Sequence, residues 1–123
     1  MGRQRALSLA AVFVLSAVSP ALAQETVTAR DVAQSPGRYY GQEIIVMGTV
    51  AAYQARVSPR GNPFATFRLE AAGASAAVFA WGKFPKVHNG SLIRVRGKFT
   101  KVKRLGRTTF ANHLEALRID ILR

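Results

Sequence analysis

The segment IRVRGKFTKVKRLGRTTF (residues 93–110) alternates apolar and polar side chains in its first half, and this alternation decides the fold. A period of two residues is typical of a β-strand with one buried and one exposed face. The residues of the predicted buried face are Ile93, Val95, Gly97 and Phe99. Leu105 and Gly106 then predict a tight turn. The segment therefore indicates a long strand over residues 91–104 that a hairpin joins to a last strand over residues 107–122.

The same segment is strongly basic and contains no acidic residue. Its seven basic residues are Arg94, Arg96, Lys98, Lys101, Lys103, Arg104 and Arg107. A solvated hairpin is one interpretation, because lysines on an exposed strand discourage edge-to-edge aggregation. Seven cations exceed what edge protection requires, and we therefore expect this segment to contact a polyanion.

Upstream of this hairpin, the sequence predicts one short helix and three further strands. Thr28 is a suitable N-cap for a helix over residues 28–34, and Ser35-Pro36-Gly37 ends it. The predicted strands cover residues 43–57, 64–71 and 76–84. Gly48 lies inside the first of them and indicates a bulge or a sharp bend.

The last predicted strand changes its phase of alternation. Leu114 and Ala116 fit one phase, whereas the apolar residues after them fit the opposite phase, and a bulge near Ala116 would reconcile the two. A helix over residues 112–122 is the alternative, because so short a run is ambiguous by periodicity. Five bent strands in a domain of about 100 residues predict a small closed barrel, since an open sheet of that size leaves edges and buries too little.

The N-terminal residues 1–23 have the pattern of a cleaved export signal. Arg3 and Arg5 precede an uncharged, mostly apolar run, which ends in the small-residue triplet at residues 21–23. We therefore expect a single domain over residues 24–123 that is exported, either to the periplasm or to the medium. An uncleaved membrane anchor is the alternative, although the apolar run is short for a transmembrane span.

Charge and composition limit the classes of function. The chain of 123 residues carries a formal net charge of +12 and has no cysteine, which excludes a disulfide and a thiolate metal site. Such a charge attracts nucleic acid, acidic lipid and acidic polysaccharide without distinguishing them. The six acidic residues are scattered, and His88 and His113 lie far apart in sequence. We therefore expect no catalytic residues, no metal site and no cofactor.

Four short motifs of the predicted strands resemble those of an OB-fold domain. They are VMGTV with Val46, Gly48 and Val50, FRLE with Phe67, Leu69 and Glu70, GASAAVF at the turn into the third strand, and NGSLIRVRGKF at the entry to the fourth. The order of these motifs over residues 41–121 is similar to that in the nucleic-acid-binding, tRNA-anticodon-binding-like branch of OB-fold domains. This chain differs from those relatives in one motif, since it has Leu69-Glu70-Ala71 where they usually have Leu-x-Asp. The resemblance implies a mainly β, five-stranded Greek-key barrel with one short N-terminal helix, in an exported, single-domain bacterial form.

The resemblance also implies a binding face. OB folds bind single-stranded nucleic acid across the second and third β-strands of the barrel. Two loops flank this face: the loop between the first and second strands and the loop between the fourth and fifth. Arg68 of the second strand and Phe79 and Trp81 of the third would then face the ligand, with bases stacked on the rings; burial of both rings in the core is the alternative. The predicted nucleic-acid-binding residues are Arg56, Arg60, Arg68, Phe79, Trp81, Arg94, Arg96, Lys98, Lys101, Lys103, Arg104 and Arg107.

The expected function is that of an exported, non-catalytic OB-fold protein that binds single-stranded DNA or RNA with little sequence specificity. The alternative is an envelope interaction protein or a stress-associated protein, whose basic face would bind acidic lipid, polysaccharide or a protein partner.

Overall fold

The computed structural model describes residues 25–123, so the predicted export signal over residues 1–23 lies outside the described residues. The elements of the described part are β1 (Glu25–Val27), α1 (Ala29–Gln34), a 3₁₀ turn (Pro36–Arg38), β2 (Glu43–Val57), β3 (Pro63–Ala71), β4 (Ala74–Trp81), β5 (Leu92–Leu105) and β6 (Thr108–Ile121). The five long strands are the five that the sequence predicts. β1 was not predicted, because three residues are too few to show a period.

The five long strands close into a barrel. They are arranged in the order β2–β3–β4–β6–β5, and β5 pairs back onto β2. Neighbouring strands are antiparallel except β4 and β6, which run parallel. β1 adds a short parallel pairing to β2. This is the Greek-key connectivity of an OB fold, and the prediction of a mainly β, five-stranded barrel with one short helix is confirmed.

β2 pairs with two strands in turn. Its first half pairs with β5 and its second half pairs with β3, and Thr49 takes part in both pairings. Gly48 lies at this transition, where a Cβ atom would meet the backbone oxygen of Glu70 at 2.9 Å. A glycine at this position leaves room for the close approach of β3. The register of β2 against β3 shifts a few residues later, between Ala51 and Gln54.

β6 carries the predicted bulge. Arg96 of β5 lies opposite Arg118, whereas the next residue, Gly97, lies opposite Ala116, so Leu117 is the extra residue. The bulge predicted near Ala116 is confirmed, and the alternative of a helix over residues 112–122 is wrong. The extra residue reverses the alternation, which explains the change of phase in the sequence.

The barrel core is formed by inward-facing residues of all five strands together with the N-terminal segment. Its strand residues include Ile44, Val46, Val50, Phe67, Leu69, Val78, Ile93, Val95, Phe99 and Leu114. Ala29 and Val32 of α1 join this core. α1 begins with a capping box, in which the Thr28 hydroxyl accepts a hydrogen bond from Asp31 N at 3.0 Å and Thr28 N donates to Asp31 Oδ2. No helix within residues 25–123 is long and apolar enough to cross a membrane.

Candidate nucleic-acid interface

Five rings form a second hydrophobic cluster on the outer side of the barrel wall. We call them the aromatic cluster: Phe64, Phe79, Trp81, Phe110 and His113. Strand alternation explains the position of the rings on β3 and β4. Phe67 and Val78 point into the barrel core, so Phe64 on β3 and Phe79 and Trp81 on β4, which have the opposite phase, point outward. β6 contributes the remaining two rings from its first half. The wall of the barrel therefore carries apolar side chains on both faces at this place.

Phe79 is the centre of the aromatic cluster. Its ring stacks on Phe64 at 4.9 Å between centroids, and it makes edge contacts with Trp81 at 5.1 Å and Phe110 at 5.4 Å. These neighbours leave Phe79 with 0% exposure. The prediction that Phe79 offers a free ring to a base is wrong, because rings from β3 and β6 cover it. Phe79 instead supports the rings around it.

Trp81 is the accessible ring of the aromatic cluster. It is 41% exposed, and it packs edge-on against both Phe64 and Phe79. Such contacts hold the indole in place while one part of it stays open to solvent. An immobilised, half-exposed aromatic ring is what base stacking requires, because little side-chain entropy remains to be lost on binding.

Two cations from different hairpins lie against the aromatic cluster. Arg56 of β2 places its guanidinium carbon 5.4 Å from the centre of the Phe64 ring and 5.8 Å from that of Phe110. Lys103 of β5 places Nζ 5.2 Å from the centre of the Phe79 ring. Lys103 Nζ also lies 3.5 Å from Glu115 Oε2, so part of its charge is already balanced within the protein. Both positions combine a cation with a ring face, and such contacts are attractive.

The tips of the two long hairpins meet beside the aromatic cluster. Pro59 lies in the β2–β3 turn and Gly106 in the β5–β6 turn, and a Cβ atom added at Gly106 would lie 2.8 Å from Pro59 Cγ. Arg60 and Arg107 are exposed residues of the same two turns. A cleft of about 250 Å³ runs between the tips, and both Arg56 and Arg107 line it. The structure therefore brings Arg56 of the first hairpin and Arg107 of the second to one cleft.

Three other predicted residues lie at the margins of this region. Lys101 is exposed and its Nζ lies 5.8 Å from the Tyr40 ring centre, away from the aromatic cluster. Arg104 is exposed near the end of β5. Arg68 lies on the outer face of β3 and forms an ion pair with Glu70 at 3.6 Å. Because Arg68 is four residues along β3 from Phe64, it lies about 13 Å from the Trp81 end of the strand pair.

The cations of the first half of β5 do not belong to this face. Arg94, Arg96 and Lys98 pair in register with β2 on one side and β6 on the other, and β5 borders neither β3 nor β4. Arg94 forms an ion pair with Asp120 at 3.6 Å, and Arg96 with Glu43 at 3.5 Å. The three residues lie in the half of β5 that pairs with β2, whereas Lys103, in the other half of β5, is the residue whose Nζ lies near the Trp81 ring. The basic run divides at Lys98, beyond which β5 no longer pairs with β2.

His113 is a member of the aromatic cluster that the sequence did not single out. It is 2% exposed, and neither ring nitrogen has a hydrogen-bond partner. Burial lowers the pKa of His113 below its usual value; the Glu115 carboxylate raises it, and Lys103 lowers it further. A polar residue in a strand is normally assigned to the surface, so no sequence signal indicated this burial. A signal for the cluster itself existed, since Phe64, Phe79 and Trp81 all occupy outward positions on neighbouring strands.

An apolar groove lies at one end of the barrel, on the core-facing side of the wall whose outer side carries the aromatic cluster. It has a volume of about 460 Å³ and runs between the β2–β3 hairpin and residues 82–87. Tyr53, Pro63, Phe64 and Phe84 are among the residues that line it. Burial raises the pKa of the Tyr53 phenol, whose hydroxyl donates to the Phe84 carbonyl at 3.5 Å. No pattern in the sequence predicts this groove, because its walls come from segments distant in the chain.

Comparison with known proteins supports the fold and little beyond it. No protein-family model matches the sequence, and no curated protein matches it. The structure is similar to part of the crystal structure of a putative aspartyl-tRNA synthetase from Leishmania major Friedlin, with a TM-score of 0.58 and 11% sequence identity. The similarity covers 78% of this chain and 20% of that one, so this chain spans about a fifth of the length of the protein it matches.

Proposed function

We propose that the chain is an exported, non-catalytic OB-fold protein that binds single-stranded nucleic acid with little sequence specificity. The observation that carries the proposal is the half-exposed ring of Trp81, held by Phe64 and Phe79 beside the cations of two hairpins. Rings that receive bases and cations that track phosphates are the two components of sequence-tolerant single-strand binding.

The proposed site contains fewer residues than the twelve that the sequence predicts. Trp81 provides the stacking surface, while the cations of the two hairpins provide phosphate contacts: Arg56, Arg60, Lys103 and Arg107. Lys103 is the weakest of these candidates, because Glu115 already balances its charge. Trp81 is the single tryptophan of the sequence.

Two further points favour nucleic acid as the ligand. The chain resembles in fold a part of a putative aspartyl-tRNA synthetase, and proteins of that name act on tRNA. The net charge of +12 gives any polyanion a favourable long-range approach. The proposal of export depends on residues 1–23 alone. Recovery of the protein outside the cytoplasm of its host, without these residues, would support it.

The test uses Trp81 as its own reporter. Because the chain has a single tryptophan, quenching of its fluorescence on titration with oligothymidylate measures contact at the proposed site. The logarithm of the association constant should fall linearly with the logarithm of salt concentration, with a slope of about −0.7 per phosphate neutralised. Binding of heparin or acidic vesicles, together with no quenching by oligonucleotides at low salt, would instead support an envelope polyanion as ligand.

A further inference from the structure

One face of the barrel, formed by strands other than those that carry Trp81, combines arginines with exposed aliphatic side chains. We call it the arginine face, and it consists of the outward side chains of residues 43–47 in β2, 94–98 in β5 and 117–122 in β6. Ile44, Val46 and Val95 are buried in the core, so their neighbours in the alternation point outward. Because β5 borders neither β3 nor β4, this face is distinct from the proposed nucleic-acid site.

The register puts two arginines side by side on the arginine face. Arg96 of β5 lies directly opposite Arg118 of β6, and Ile45 of β2 lies opposite Arg96 on the other side. Like charges directly opposite each other on two strands destabilise a sheet. The free protein therefore carries an electrostatic repulsion at this pair, which a bound anion would offset.

The acids of the arginine face balance only part of its charge. Its charged residues are the cations Arg94, Arg96, Lys98 and Arg118 and the acids Glu43 and Asp120. Four cations and two acids leave two positive charges in excess. Glu115 lies opposite Lys98 in register, but it forms its ion pair with Lys103, outside this face.

The arginines of this face keep hydrogen-bond donors for an added anion. Asp120 contacts both Arg94 and Arg118, at 3.6 and 3.1 Å, so one carboxylate serves two guanidinium groups. Each guanidinium has five N–H donors, more than one shared carboxylate uses. A cleft of about 260 Å³ is lined by these two arginines together with Arg96. The arrangement suits a phosphate group, which arginine binds through paired N–H groups.

Aliphatic side chains surround these cations. Met47 is 48% exposed, Leu117 is 61% exposed and Leu122 is 42% exposed, while Ile45 lines the arginine cleft. None of the residues in the three ranges that define the face is aromatic. Single-stranded nucleic acid stacks its bases on rings, so the arginine face lacks the component that such a ligand requires. Aliphatic side chains beside cations instead match a lipid surface, where acyl chains lie below anionic headgroups.

We propose that the arginine face docks the protein on the surface of an anionic phospholipid bilayer. The arginines contact the lipid phosphates, and Met47, Leu117 and Leu122 insert just below the headgroups. Binding at a membrane surface increases with the apolar area inserted and with the attraction to anionic lipid, and this face supplies both. The inference is independent of the proposed function, because Trp81 lies on a different part of the barrel wall.

Cosedimentation with vesicles tests the charged part of the arginine face. The wild type should bind vesicles of equal parts phosphatidylglycerol and phosphatidylcholine at low salt, and pure phosphatidylcholine far more weakly. Arg94→Gln combined with Arg118→Gln should weaken binding to the anionic vesicles by roughly 5- to 30-fold, since one cation near an anionic surface contributes about fivefold. Arg60→Gln combined with Arg107→Gln removes the same charge at the hairpin tips and should keep most of the affinity. Equal losses in the two double variants would show that only net charge matters and would overturn the proposal.

A second pair of variants tests the aliphatic part. Leu117→Ala and Val57→Ala both shorten a largely exposed side chain, but Val57 lies in the half of β2 that pairs with β3, outside the arginine face. Leu117→Ala should weaken vesicle binding by roughly 3- to 10-fold, because less apolar surface is inserted, whereas Val57→Ala should bind as the wild type does. Far-UV circular dichroism checks that each variant is folded.

Three results would overturn the docking proposal. The first is no binding of the wild type to anionic vesicles at low salt, and the second is equal vesicle binding by Leu117→Ala and Val57→Ala. The third is a wild-type dimer in sedimentation equilibrium that Leu117→Ala abolishes, which would assign the arginine face to a second copy of the chain. None of these results concerns oligonucleotide binding, so the proposed function would stand or fall by its own test.

Discussion

Lys103 Nζ lies 5.6 Å from the centre of the Trp81 ring, although the two residues belong to strands that do not pair. Lys103 lies on β5, near the end of the long hairpin, and β6 separates that strand from β4 in the barrel. The Lys103 side chain therefore reaches across β6 and brings its charge to the exposed ring. This relationship makes the hairpin a part of the proposed site.

Replacement of the exposed ring should separate stacking from charge. Trp81→Ala should weaken binding of labelled oligothymidylate by about 1–3 kcal/mol, or roughly 5- to 150-fold, because one base loses its ring partner. The salt slope should stay nearly unchanged, since no cation is removed. Fluorescence anisotropy of the labelled strand measures both quantities. Met47→Ala, which shortens an exposed apolar side chain on β2, is the control and should bind as the wild type does. Equal affinity of the two variants would contradict a stacking role.

The position of the cations, rather than their number, should determine affinity. Arg60→Gln combined with Arg107→Gln removes two charges at the hairpin tips and should reduce the salt slope by about 1.4. Arg94→Gln combined with Arg118→Gln removes two charges on the outer side of β5 and β6, where both arginines contact Asp120. This second double variant should bind nearly as the wild type does. An equal loss in both would indicate that only the net charge matters.

The closest approach between β5 and β6 predicts a position that tolerates no side chain. A Cβ atom at Gly97 would collide with the backbone carbonyl of Glu115, which cannot move without disturbing the bulge. Gly97→Ala should therefore destabilise the barrel by about 1–3 kcal/mol, as overpacking does elsewhere. Gly37→Ala is the matched control, because its Cβ atom would have no neighbour closer than 4.0 Å. Urea unfolding measures both changes, and equal midpoints for the two variants would contradict the account.

Burial of His113 predicts a stability that falls in acid. Because its folded pKa lies below the usual value of 6.5, the unfolded chain binds the proton more readily than the folded one. Stability should be constant above about pH 6.5 and should decrease as the pH falls toward the folded pKa, by at most about 1.4 kcal/mol per pH unit. His113→Leu should remove this part of the pH dependence. Urea unfolding at several pH values between 7.5 and 5 tests it, and identical profiles for the variant and the wild type would contradict it.

The sequence predicted the strands well because alternation and bulges leave local signals. The phase change predicted a bulge near Ala116, since one extra residue must reverse the alternation, and the extra residue in the structure is its neighbour Leu117. β1 escaped prediction because three residues show no period. The closed barrel followed from five bent strands in a short chain, and the strand order agrees with the resemblance to the OB fold.

The candidate site was predicted less well because its residues depend on contacts between strands. Alternation showed that Phe79 points out of the barrel, but only the meeting of β3, β4 and β6 shows that Phe64 and Phe110 cover it. Alternation also put Arg94 on an outer face without showing which strands border that face. The pattern within one β-strand therefore predicts on which side of the barrel wall a side chain lies. The side chains that it contacts from other β-strands are known only from the tertiary structure.

The wall formed by β3 and β4 separates two hydrophobic clusters, one inside the barrel and one outside. Substitutions at Trp81 or Phe110 alter the outer cluster and leave residues such as Phe67 and Val78 in their places. Mutational drift at a handful of outward positions can thus change what the surface recognises while the folded barrel persists. A chain built in this way can acquire new ligands during evolution without first having to acquire a new scaffold.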